Sequence, residues 1–80
     1  MSDEKYRNYL SDIGDISKKY AREAIAEHNE AKGSEEEDYK TGYMMGFHRI
    51  ITLMQQQAEA FDIPLEEIGL ADINENDFFE

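Results

Sequence analysis

Apolar residues return at helical spacing along most of this chain. Tyr39, Tyr43, Phe47, Ile50, Ile51, Met54, Ala58 and Phe61 recur at intervals that keep to one side of a helix, with no proline among them. That pattern predicts a long helix over about 35–61. Ser34 followed by Glu35, Glu36 and Glu37 has the form of a capping box. In it the serine oxygen accepts from the Glu37 amide while the Glu37 side chain reaches back. Asp38 adds another carboxylate to a first turn where the positive end of the helix dipole favours it. Upstream, Tyr6, Tyr9, Leu10, Ile13, Ile16, Tyr20, Ala21, Ala24, Ile25 and Ala31 share one half of a helical wheel. Lys18, Lys19, Arg22, Glu23 and Ala26 lie on the other half. A first helix over about 4–32 follows, closed by the basic Lys32 and a left-handed Gly33. Gly14 inside it costs about 1 kcal/mol relative to Ala. A kink near residues 11–15, a shorter helix capped by Ser11, and a close contact that needs the missing side chain are all consistent with it.

Gly33 and Ser34 leave almost no loop, so the two helices are expected to pack as an antiparallel hairpin. Residues facing each other then have numbers summing to roughly 67 by the symmetry of such a turn. Tyr20 meets Phe47, Ala24 meets Tyr43, Ile13 meets Met54 and Tyr6 meets Phe61. The same register sets Ala21 by Gly46 and Ile25 by Gly42, which reads as close packing inside the hairpin. The apolar arc of the second helix spans about 180°, wider than one partner helix covers. A second copy is the expected cover, giving a homodimeric four-helix bundle with Tyr43, Met44, Phe47, Ile51, Met54 and Ala58 as the dimer face. Gln57 falls in the middle of that arc near Leu10, where burial would let it fix the dimer register. After Phe61, Asp62-Ile63-Pro64 breaks the pattern, and Pro64 suits the start of a short helical turn over 64–68 that Gly69 closes. The fold class is therefore all-α: one domain over 1–71 and an acidic tail over 72–80 that packs on it or stays free.

Charge changes this picture mainly at the C-terminus. The net charge is −11, and the stretch from Ala58 to Glu80 holds eight acids and no base, against seven acids and six bases from Met1 to Gly33. Direct nucleic-acid binding, which needs clustered Lys and Arg, is disfavoured, and a basic protein partner is favoured. Asp72, Glu75, Asp77, Phe78, Phe79 and Glu80 are the candidate docking residues, and deleting them is expected to leave the hairpin folded. There is no cysteine, the first residues lack an apolar stretch, and His48 and Arg49 interrupt the most apolar segment. A cytoplasmic protein with no signal peptide and no membrane span is expected.

Candidate chemistry is sparse. His28 and His48 stand far apart in the hairpin register and neither follows a glutamate by three residues, so the ligand pair of carboxylate-bridged metal bundles is missing. Glu27, Glu30, Glu35 and Asp38 form two acidic pairs near the turn. Their spacing is loosely similar to the magnesium-binding helices of all-α nucleotide pyrophosphohydrolases, which implies a metal-dependent carboxylate enzyme as one alternative. Asp72 to Asn76 begins like an EF-hand calcium loop, but Asp77 stands where that loop needs glycine. No serine sits in a nucleophile turn and no glycine-rich loop cradles phosphate. The expected function is that of a small, non-enzymatic, cofactor-free interaction module: an adaptor, regulator or inhibitor acting as a homodimer. An acidic mimic of nucleic acid that blocks a basic site is the other alternative.

Overall fold

The computed structural model describes residues 2–79. Helix α1 spans Ser2–Glu30 and helix α2 spans Glu37–Ala60. Two 3-10 turns follow, over Leu65–Ile68 and Glu75–Phe78. The two long helices pack together as an elongated antiparallel hairpin, 50 × 20 × 16 Å, and the segment from Ile63 onward folds back along one side of it as a strap.

The connection is longer than the sequence pattern implies, because Ser34 and Glu37 cap the turn rather than the first residue of a helix. The Ser34 hydroxyl donates to the Ala31 carbonyl (2.6 Å) and accepts from the Glu36 amide (3.2 Å). The Glu37 carboxylate reaches past Ser34 and accepts from the Gly33 amide at 3.0 Å. Gly33 takes a left-handed φ of 82°, which costs a glycine little. The register holds where contacts report it. The Tyr20 and Phe47 rings meet edge-on with centroids 6.4 Å apart, and Lys40 Nζ lies 3.6 Å from Glu27 Oε1.

The C-terminus of α2 is a Schellman motif. The Ile63 amide donates to the Ala58 carbonyl (2.8 Å) and the Asp62 amide to that of Glu59 (3.1 Å), with Asp62 in the left-handed position at φ 56°. The first 3-10 turn ends the same way: Leu70 donates to Leu65 (3.0 Å) and Gly69 sits at φ 73°. Two reversals in succession turn the chain back onto the hairpin. Ile68, Leu70, Ile73 and Phe78 are buried there with Ala21, Ala24, Met44, Ile51 and Ala58 in one core. Ile73 and Phe78 thus belong to the core although they lie beyond the expected boundary at Ala71.

Helix α1 runs through Gly14 without a break. The glycine serves the close contact: a Cβ built on it would overlap the backbone carbonyl of Ile68, with the carbonyl carbon 2.8 Å away and the oxygen nearer. Gly42 and Gly46 correct the expectation of close packing inside the hairpin, because a Cβ on either meets no atom within 4 Å. The α2 seam that faces α1 and the strap is Met44, Ile51 and Ala58, and that leaves Gly42 and Gly46 facing outward.

Candidate interaction surfaces

The strap is held by groups that the hairpin aims at it. Lys18 Nζ donates to Asp72 Oδ1 at 2.7 Å, and Arg22 donates to the Asp72 backbone carbonyl at 3.0 Å. The Lys18 ammonium, hydrogen-bonded to the Asp72 carboxylate and aided by the charge of Arg22, holds that carboxyl below the usual carboxylate range. Arg7 pairs with Glu67 at 3.4 Å. From α2, the Gln55 side-chain amide donates to the carbonyls of both Leu70 (3.1 Å) and Ile73 (2.8 Å). The His48 ring stands edge-on to Phe78 and Phe79, with centroids 5.2 and 5.3 Å away. Its Nε2 lies 3.5 Å from Glu75 Oε1, in ion-pair range but without a hydrogen bond.

Five of the six candidate docking residues lie among the described residues. Asp72 and Glu75 face bases of the hairpin. Asp77 closes a capping box, accepting from the Asn74 amide at 3.0 Å while the Asn74 side chain accepts from Asn76 at 2.9 Å. Phe78 is 2% exposed, so it is not available to a partner while the strap is seated. Phe79 is exposed, and Glu80 lies outside the described residues. Asn74 and Asp77 also answer the EF-hand pattern, since their oxygens are spent on the backbone amides of the second 3-10 turn. The Asn-x-x-Asp spacing carried that signal, in the same form as the serine box at Ser34.

Gln55, like Lys18 and Arg22, is a strap-holding residue that sequence reasoning missed, because a glutamine next to Gln56 and Gln57 reads as helix surface. Gln55→Ala removes the donors to two partly buried carbonyls and is expected to cost about 1–3 kcal/mol. The urea midpoint measures this, and an unchanged midpoint would show that apolar side chains alone seat the strap.

The opposite side of the hairpin is open. Of the expected dimer face, Met44, Ile51 and Ala58 are buried within the chain, Phe47 and Met54 are half-buried, and Tyr43 is exposed. Exposed apolar residues continue the face elsewhere: Ile50, Leu53 and Phe61 on α2, and Tyr6, Tyr9, Leu10, Ile13 and Ile16 on α1. Helical spacing turns Asp12 and Asp15 on α1 and Glu59 on α2 away from this face, while at its end Asp3, Arg7 and Glu67 border the hollow they line with Tyr6 and Leu10. Gln57 is exposed here, beside a small apolar hollow that it lines with Leu10, Met54, Phe61 and Ile63.

Of the acids near the turn, Glu27 pairs with Lys40 at 3.6 Å, while Glu30, Glu35 and Asp38 are exposed. Among the described residues no group of three or more His, Asp or Glu side chains is spaced to hold a metal ion. No helix among them is long and apolar enough to cross a membrane. Comparison with family models, curated proteins and solved structures gives no match.

Proposed function

We propose that this chain is a non-enzymatic protein-interaction module that works as a homodimer, two hairpins meeting through their open faces as a four-helix bundle. The observation that carries the reading is the wide exposed apolar face that the strap borders at one end and leaves open over the rest. Eight large side chains there, Tyr6, Tyr9, Leu10, Ile13, Ile16, Ile50, Leu53 and Phe61, are each 37–70% exposed. At ~200 Å² for a large side chain, they offer on the order of 800 Å² per protomer, the size of one side of a standard stable interface. An exposed apolar patch of this extent is uncommon on a monomer of this size. A copy of the same face is its natural complement, since a two-fold interface joins a patch to itself. The strap acids Asp72, Glu67 and Glu75 sit beside the hairpin's own bases, which speaks against a tail displayed as a mimic of nucleic acid.

Light scattering over a range of concentrations tests this. The full chain is expected at twice its mass of 9.3 kDa. Leu53→Glu, which places a carboxylate at an exposed position of the face, is expected to weaken the dimer at least about tenfold, or ~1.4 kcal/mol, with helix content unchanged. A monomer at every concentration would overturn the proposal.

A further inference from the structure

An apolar groove runs along the open side of α2. Its volume is about 340 Å³, and it is lined by Ser17 of α1 and by Gly42, Tyr43, Gly46, Phe47 and Ile50. The Tyr43 and Phe47 rings stand edge-on with centroids 5.3 Å apart, so one wall is set before anything docks. With no side chain at 42 or 46, the α2 backbone itself forms the floor. Helical spacing carries the groove onward through Ile50 to Leu53, both half-exposed, so that Gly42, Gly46, Ile50 and Leu53 follow one line along the helix. The groove is thus continuous with the face assigned above to self-association.

The two glycines of the floor have no use inside the chain. Gly14 makes room for the Ile68 carbonyl, and Gly33 and Gly69 take left-handed backbone at their turns. Gly42 and Gly46 do neither. Both sit in the interior of α2 at exposed positions, and a Cβ on either would stand in open space. Glycine there weakens the helix relative to alanine, and no contact among the described residues offsets that loss.

We propose that a second copy of this chain fills the groove, the two α2 helices crossing antiparallel so that the notch at Gly46 of each takes the partner's Ile50. The occupant follows from the shape of the face. About a two-fold axis, antiparallel helices pair residues whose numbers have a constant sum, and full overlap of α2 with its copy sets that sum at about 97. At that register Gly46 meets the partner's Ile50 and Tyr43 meets the partner's Leu53. Notch and knob lie on either side of the middle of one helix, so the face is complementary to itself and makes each contact twice. Helices pack at a distance set by the side chains between them, and bare backbone at Gly42 and Gly46 permits the close end of that range. The open face also has the area that one side of a stable dimer needs, on the order of 800 Å². This inference specifies the geometry of the homodimer and rests on that reading.

Sedimentation equilibrium of the full chain and of its Gly46→Ala and Gly42→Ala variants tests this, with thermal melts at a dilution where each is monomeric. The two readouts are expected to move in opposite directions. In the monomer a methyl group at either position meets nothing and improves the helix, so the midpoint rises by about 4–8 °C. In the dimer the same methyl group fills the notch and holds the helices apart, so the dissociation constant rises at least about tenfold for Gly46→Ala, and Gly42→Ala acts in the same sense. A parent dimer that Gly46→Ala leaves equally tight or tightens would overturn the proposal while the homodimer stands, paired along another line of the open face. A parent chain that is monomeric at every concentration would overturn both and leave the groove to a different occupant.

Discussion

Gly14→Ala is expected to lower the thermal midpoint by about 10 °C or more, although the same change in an ordinary helix would raise it. The intrinsic term favours Ala by about 1 kcal/mol in a helix interior. Against it stands the Ile68 carbonyl, which a methyl group at position 14 would overlap. A flexible side chain in the way could turn aside, but this is backbone, fixed by the Schellman turn that Gly69 and Leu70 form immediately after it. Either α1 and the strap move apart along their contact or the strap lifts off. Overpacking of this kind costs typically 1–3 kcal/mol and occasionally more, and with the strap's own burial at stake the net loss should be about 2 kcal/mol. For a domain of this size each kcal/mol shifts the midpoint by roughly 4–8 °C. Thermal melts followed by circular dichroism measure it directly. A midpoint equal to or above that of the parent would mean that Ile68 does not press on α1 as described.

Ending the chain at Ala71 should be more damaging still. The truncation removes Ile73 and Phe78, both 2% exposed, and with them the Asp72 pair to Lys18 and one of the two carbonyls held by Gln55. Loss of a buried Phe side chain alone costs about 3–5 kcal/mol, and an Ile adds a further 2 or more. Eighty residues have a total stability on the order of 4–12 kcal/mol, so the shortened chain is expected to lose cooperative unfolding at 25 °C and to expose Met44 and Ile51 to solvent. Urea titration of the two lengths side by side, followed by tyrosine fluorescence, separates the outcomes. A truncated chain with an unchanged midpoint would show that the hairpin stands without the strap and that the segment from Asp72 is free for a partner.

Together the two variants probe one physical point, that the C-terminal segment packs against this protein's own helices. Eight acids without a base in the last stretch of the chain suggest a docking tail when counted along the sequence. In three dimensions three of them, Glu67, Asp72 and Glu75, stand beside Arg7, Lys18 with Arg22, and His48. The partner groups come from helix positions many residues away, and linear composition carries no information about which of them a folded-back segment will meet.

Much of the fold was legible before the structure. Helical periodicity, the absence of proline before Pro64, and Gly33 at the turn predict two long helices in an antiparallel hairpin, because a 3.6-residue repeat and a left-handed glycine are local properties of the chain. The register was equally local: a short connection leaves little freedom, and Tyr20–Phe47 and Glu27–Lys40 meet where the turn's symmetry puts them. Pro64 and Gly69 bracketed the first 3-10 turn for the same reason.

What periodicity could not decide was which part of a wide apolar face lies inside. Both helices carry an arc of about half their circumference, and such an arc admits several rotations about the helix axis. The tertiary structure selects the one that buries small residues on α1, Gly14, Ala21 and Ala24, since only there can a strap and a second helix approach closely. That rotation turns Tyr6, Tyr9, Ile13 and Ile16 outward and swings Gly42 and Gly46 away from α1. It also makes Gln55 a donor to the strap. The sequence determined by itself that two amphipathic helices would form a hairpin. Only the return of residues 63–79 onto one side of it decided which side closes as the core and which stays open to a partner, because that choice depends on contacts between segments distant in the chain.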